Sequence, residues 1–101
     1  MGRFIVKLDD YYLEWSTIVD APITYGMKLK EFKEFYKDEY GNRGMEELPK
    51  RLERVENQGV SAYHPYNNLE NLITGNRAGD NEEELTKQEI IKGYCIDRPE
   101  D

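Results

Sequence analysis

The chain has 101 residues, of which 38% are hydrophobic and 35% charged, and it carries a formal net charge of −7 at pH 7. This length supports one domain with one small core, which favours burial of further surface in a homodimer. The negative charge argues against DNA as a partner, because non-specific DNA binding requires a clustered basic face.

Two strands are predicted at the N-terminus. Apolar side chains alternate over Arg3–Leu8, and the alternation resumes over residues 11–19 after the turn Asp9-Asp10. The two strands are expected to pair as an antiparallel hairpin. Pro22 lacks a backbone N–H, so it marks the point where the ladder stops or runs along an edge.

Two helices are predicted next. The spacing of apolar residues from Leu29 to Tyr40 is typical of an amphipathic helix, and Gly41 suits the left-handed end of such a helix. A second, mostly charged helix is predicted to start at Pro49, a residue that fits a first helical turn, and to end at Gly59.

Shorter elements follow in the second part of the chain. Residues 60–63 form either a short third strand or an extended connection. Asn67 or Asn68 caps a short helix, which the glycine-containing loop 75–79 terminates.

Thr86 and Glu89 stand three residues apart, as in a capping box, and predict a last helix. The sequence therefore predicts an α+β fold in which an N-terminal antiparallel hairpin or small sheet is packed by three to four α-helices. We expect a single domain over residues 1–95 and a frayed tail over residues 96–101.

The cysteine content, the hydropathy and the charge distribution suggest an intracellular protein with a protein partner. A single cysteine, Cys95, excludes an intramolecular disulfide, and no stretch approaches the ~20 apolar residues of a membrane span. We therefore expect a cytoplasmic protein without membrane contact. Residues 59–101 carry 9 acidic and 4 basic side chains, and this local excess favours a basic protein partner.

No catalytic constellation, cofactor motif or metal site is expected. His64 is the single histidine, and no glycine-rich turn with a following lysine forms a phosphate-binding loop. The hairpin carboxylates, which include Glu14, are a weak candidate for binding a divalent cation, and Asp9-Asp10 is explained by turn preference alone. The sequence does not predict an enzyme.

A candidate binding surface lies on the second strand. Tyr12, Glu14 and Ser16 alternate with a buried row and lead on to Asp20 and Tyr25. Such a row of aromatic and polar groups on a strand can bind a protein or stack on a base. The alternative is that one of the helices covers this face.

A second candidate surface is the loop that holds Asn76 and Arg77 between two glycines. Glycines let the backbone approach a ligand, and the guanidinium of Arg77 can bind a carboxylate or a phosphate. The alternative is an ordinary turn that connects two helices.

Five stretches of the sequence form a familiar pattern, at residues 12–17, 20–24, 26–27, 75–79 and 85–91. In this order they resemble a group of small uncharacterised accessory proteins of tailed bacteriophages. The resemblance covers most of the chain and implies a viral origin and the cytoplasm of an infected bacterium, but no chemistry. Lys28 departs from expectation, since it stands where a helix cap such as serine would fit.

Three functions follow from these observations. The first is a non-enzymatic binding protein that inhibits or redirects a host factor, such as a defence system, with its acidic half facing a basic surface. The second is a sponge for a nucleotide signal, in which Trp15 or the tyrosines stack on the base and Arg77 or nearby lysines hold the phosphate. The third is a minor structural or assembly protein of the virion. An enzyme that uses the hairpin carboxylates and a metal ranks last.

Overall fold

The structure, a computed structural model, describes residues 3–62 and 68–96 of the chain, with the side chain of Asp80 left aside. Within these residues a three-stranded antiparallel sheet is combined with helices, so the predicted α+β class is confirmed. The number of helices on the sheet stays a prediction. The predictions for Tyr63, His64, Asn67 and residues 97–101 lie outside the described residues.

The N-terminal hairpin is present. Strand β1 (Arg3–Leu8) pairs with strand β2 (Tyr11–Ser16) in a register in which Arg3 faces Ser16 and Leu8 faces Tyr11. The turn between them uses Asp9, whose φ of 54° is a left-handed conformation that aspartate tolerates. The hairpin and its turn are therefore confirmed.

Strand β2 ends earlier than predicted. The alternation in the sequence runs to residue 19, but residues 17–20 form a turn, and strand β3 (Ala21–Pro22) then pairs with the end of β2. Asp20 closes this turn with a φ of 54°. Pro22 lies in this short outer strand, as its missing N–H predicted.

Helix α1 (Leu29–Gln58) is broken at Gly41, where φ is 66° and ψ is −160°, so residues 29–40 and 42–58 are two helical halves. The predicted end of the first helix is confirmed. The prediction that a second helix starts at Pro49 is wrong, because the helix restarts directly after the glycine and Pro49 lies inside it. Gly59, with a φ of 84°, ends α1 as predicted.

The later elements are short. Helix α2 (Leu69–Ile73) is capped by Asn68, whose side chain accepts a hydrogen bond from the N–H of Glu70 at 2.8 Å. Helix α3 (Lys87–Ile90) opens with the predicted capping box and continues as a π-helical segment over Ile91–Ile96. Both predicted caps are confirmed. Helix α1, in contrast, begins after Lys28 with no side-chain cap.

Val60 forms a single bridge with Val6, so residues 60–62 are the extended connection rather than a third strand.

Both faces of the sheet are buried, and each has its own core. We call the face that packs against the later elements the C-terminal layer; its buried residues are Val6, Leu8, Leu13, Trp15, Val60, Ala62, Leu72, Ile90, Ile91 and Cys95. We call the face under α1 the helix layer; its buried residues are Ile5, Tyr12, Met27, Phe32, Tyr36, Leu48 and Val55.

None of the helices in the described part of the chain is both long enough and apolar enough to cross a membrane.

Candidate functional site

The predicted binding face of β2 is covered by α1. Tyr12, Glu14 and Ser16 are only 5%, 4% and 6% exposed, so of the two alternatives that the sequence left open, a face covered by a helix is the one observed. The cause is the apolar side of α1, which buries Phe32 and its neighbours against the sheet. Trp15 is 1% exposed in the C-terminal layer, so its ring is not available to stack on a base.

On the covered face, Tyr12 and Lys7 both bond to Glu56. Tyr12 donates its hydroxyl hydrogen to Glu56 Oε1 at 2.6 Å, and Lys7 Nζ lies 3.2 Å from Glu56 Oε2. Burial, and then the bond to Glu56, raises the pKa of Tyr12. The hydrogen bonds from Tyr12 and Lys7 lower the pKa of the Glu56 carboxyl. These groups already satisfy one another, which is what a structural role requires.

Asn76 also has a structural role. It is 2% exposed, its side-chain NH₂ donates to the carbonyls of Ile73 and Leu85 at 2.7 and 2.8 Å, and its Oδ1 accepts from the N–H groups of Ala78 and Leu85. These bonds use both donors and the acceptor of Asn76 in shaping the turn, which fits the alternative of an ordinary turn rather than a contact with a ligand.

The structure brings two other candidates together. The backbone N–H of Arg77 donates to the carbonyl of Asp20 at 2.8 Å, and its guanidinium lies 3.3 Å from the carboxylate of Asp20. The same guanidinium lies 3.9 Å from Glu82. Arg77 thus joins the β2–β3 turn to the acidic run of the second half, although Asp20 is far from Arg77 and Glu82 in sequence.

Exposed apolar side chains are concentrated beside this contact. We call Ile18, Val19, Ile23 and Tyr25 the edge patch; their exposed fractions are 81%, 49%, 39% and 44%. Among the described residues six large hydrophobic side chains are exposed, and five of them lie within residues 18–29. The sequence alone does not reveal the edge patch, because Ile18 and Val19 continue the strand pattern of β2 and only the structure places them in a turn, where glycine, asparagine or aspartate is usual.

Two acidic residues are linked to the edge patch, Asp20 within its segment and Glu82 through Arg77, and Glu83 and Glu84 follow Glu82 in sequence. We call Asp20, Glu82, Glu83 and Glu84 the acidic rim, of which the three glutamates are exposed. Arg77 ties the rim to the patch through its contacts with Asp20 and Glu82. The arrangement is an apolar surface with carboxylates beside it, and of the β2 candidates only Tyr25 and Asp20 are accessible at this surface.

A cleft of about 450 Å³ opens between the sheet and α1, at the break in the helix. We call it the arginine cleft; it is lined by Arg3, Glu14, Tyr36, Tyr40, Arg43, Gly44, Glu47 and Arg51. Sequence reasoning missed it, because its arginines come from strand β1 and the second half of α1 and its tyrosines from the first half, with no shared motif.

The floor of the arginine cleft is the Glu14 carboxylate. Tyr40 donates its hydroxyl hydrogen to Glu14 Oε2 at 2.6 Å, and Arg3 donates to the same hydroxyl at 3.5 Å. Burial, and then the bond to Glu14, raises the pKa of Tyr40. The hydrogen bond to Tyr40 raises the pKa of the Arg3 guanidinium, which therefore stays charged.

Among residues 3–62 and 68–96, no group of three or more His, Cys, Asp or Glu side chains is arranged to hold a metal ion. Comparison of the chain with known protein families, with curated proteins and with solved structures found no match.

Proposed function

We propose that this protein is a non-catalytic binding protein that docks onto another protein through the edge patch. The observation that carries the proposal is the concentration of exposed apolar side chains in residues 18–29 of a chain that is otherwise rich in charge. Scattered apolar residues are normal on a protein surface, but a group of them rimmed by polar residues is typical of an interaction site.

The partner is held by side chains rather than by strand addition. Strand β3 has only two residues, and one of them is Pro22, which has no N–H to offer to a further strand. Ile18 is the most exposed of the four side chains. Complete burial of an isoleucine side chain contributes about 1.5–3 kcal/mol, so Ile18 is the expected hot spot.

The acidic rim indicates the chemistry of the partner. A surface with an apolar centre and lysine or arginine around it would complement the patch and the rim together. Opposite charges at the border accelerate association and select the partner, and their effect falls as salt increases. Binding to a basic partner is therefore expected to weaken in high salt.

The resemblance of the sequence to phage accessory proteins supports a more specific form of the proposal. In this form the partner is a host protein, such as a component of a defence system. The protein blocks or redirects that component in the cytoplasm of an infected bacterium.

Affinity capture with matched variants tests the proposal. Wild-type protein, Ile18→Asp and Asn57→Asp are immobilised in equal amounts and exposed to lysate of a bacterium that tailed phages infect. Asn57 is an exposed position of α1, so its variant adds the same charge outside the patch. We expect one protein bound in a near-stoichiometric ratio to the wild type and to Asn57→Asp, lost from Ile18→Asp and weakened by salt. Equal recovery on all three proteins would overturn the proposal.

A further inference from the structure

The arginine cleft is a second concave site, separate from the edge patch and not used by the proposed docking. Its volume of about 450 Å³ falls within the range of roughly 300–1,000 Å³ that is typical of sites for small molecules. We infer that the arginine cleft binds a guanine nucleotide, with its phosphate on the arginines and its base on Glu14.

The arginines provide the site for the phosphate. Three guanidinium groups line one cleft of a chain whose net charge is −7, against two carboxylates. Arg51 is paired with Glu47 at 3.4 Å and Arg3 contacts Tyr40, whereas Arg43 has no hydrogen-bond or ion-pair partner among the described residues. Guanidinium groups bind phosphate through paired N–H donors, so Arg43 is the expected principal contact.

The floor of the cleft selects the base. Glu14 Oε2 accepts from Tyr40, and no group in the described part of the chain donates to Glu14 Oε1. A carboxylate only accepts hydrogen bonds, so it favours a base edge that presents adjacent donors. Guanine does so through N1–H and its exocyclic NH₂, whereas adenine and cytosine place an acceptor beside their donor.

Two tyrosines form an aromatic wall. The rings of Tyr36 and Tyr40 have centroids 4.5 Å apart and are tilted by 48°. A Cβ atom at Gly44 would collide with Tyr40 and stand 3.2 Å from the Tyr36 ring. The glycine therefore allows the second half of α1 to lie close to the two tyrosines of the first half. Tyr36 is 2% exposed and only supports this wall, so the half-buried ring of Tyr40 is the surface on which a nucleotide base would stack.

A free amino acid is the main competitor for such a site, since its ammonium group would pair with Glu14 and its carboxylate with an arginine. A neutral amino acid has no net charge, however, and L-glutamate carries about −1, whereas a phosphomonoester carries about −1.5 to −2 at pH 7. The cleft has an excess of positive charge, with Arg43 unpaired among the described residues, and this excess favours the nucleotide.

The test is titration calorimetry of the whole chain at pH 7.5 with GMP, AMP, guanosine, L-glutamate and inorganic phosphate. We expect GMP to bind about tenfold more tightly than AMP, because AMP would leave the carboxylate without its donors. Guanosine and inorganic phosphate should each bind more weakly than GMP. Equal affinity for GMP and AMP, preference for L-glutamate, or no binding of GMP would each overturn the inference.

Variants separate binding from folding and from the proposed docking. Arg43→Ala should weaken GMP binding about tenfold or more while its melting temperature stays that of the wild type, because the side chain has no partner to lose among the described residues. Lys37→Ala, an exposed position of α1 outside the cleft lining, should bind GMP normally. Ile18→Asp should also bind GMP normally. Full affinity in Arg43→Ala would contradict the assignment.

Discussion

Both faces of the sheet are buried, but by different chemistry. The C-terminal layer surrounds Trp15 with aliphatic side chains, whereas the helix layer adds Tyr12, Tyr36 and the buried Glu14 to its apolar residues. In the helix layer, hydroxyls donate to the carboxylates of Glu14 and Glu56. A buried face can therefore contain polar side chains, provided that each polar group has a hydrogen-bond partner.

The helix layer meets this condition at its side-chain atoms that are out of contact with solvent; Glu14, whose Oε1 accepts no bond from the described residues, lines the arginine cleft. No buried side-chain nitrogen or oxygen atom in the described residues lacks a hydrogen-bond partner. Ser61 is an example, because its Oγ accepts a hydrogen bond from the N–H of Ile5 at 2.8 Å and its carbonyl accepts one from Arg54 at 2.9 Å. The comparison predicts that the C-terminal layer responds mainly to loss of volume, and the helix layer mainly to loss of partners.

The largest effect is expected from Trp15→Ala in the C-terminal layer. Removal of a fully buried indole leaves a cavity that the small core cannot refill, and we expect a loss of about 3–5 kcal/mol in the free energy of unfolding. Urea unfolding followed by circular dichroism measures it. Ile18→Ala, at a side chain that is 81% exposed, is the control and should change the free energy by about 0.5 kcal/mol or less. Similar losses in both variants would contradict the assignment of the core.

A smaller loss is expected from Tyr40→Phe in the helix layer. The variant keeps the ring but removes the hydroxyl that donates to Glu14, so a buried carboxylate loses its donor at a cost of about 1–3 kcal/mol. The same urea experiment measures the change.

Tyr94→Phe is the matched control for that variant. Its hydroxyl donates to the neutral carbonyl of Ala78 at 3.1 Å, and loss of such a bond is expected to cost about 0.5–1.5 kcal/mol. If Tyr40→Phe proves no more harmful than Tyr94→Phe, the helix layer does not depend on its partners in the way that the comparison predicts.

The parts of the fold that the sequence predicts are those determined by local interactions. Alternation over Arg3–Leu8 and the turn Asp9-Asp10 define the hairpin, while Asn68 and Thr86 cap the helices that follow them. Each of these signals operates within a few residues, through backbone geometry or a side-chain hydrogen bond to a nearby N–H.

The errors arise where distant parts of the chain decide the outcome. Pro49 suits a first turn and therefore predicts a helix start, but the helix already begins after Gly41 and tolerates the missing N–H. Residues 17–19 continue the strand pattern of β2, yet the chain turns there to place Ala21–Pro22 on its edge. Neither choice can be made from a local window.

The candidate sites were the least predictable part. Alternation placed Tyr12 and Glu14 on one face correctly, but it cannot say whether that face meets water or a helix. The arginine cleft depends on Arg3, Arg43 and Arg51, which share no period or motif and meet only through the fold. In contrast, Asp20 and Arg77 are binding candidates because of the chemistry of their side chains alone, and the fold brings them together as an ion pair.

The smallest effect in this series is expected from alkaline pH, and it acts on the helix layer. Burial raises the pKa of Tyr12, Tyr36 and Tyr40 above the ordinary value of about 10. Above that pH the unfolded chain loses protons that the folded chain retains, so the unfolded state binds fewer protons and stability falls as pH rises. Melting temperatures between pH 8 and pH 11 should decline from near pH 10, and less steeply in Tyr12→Phe. A flat profile would show that these hydroxyls titrate as they do in water, and the helix layer would then differ from the C-terminal layer in composition only.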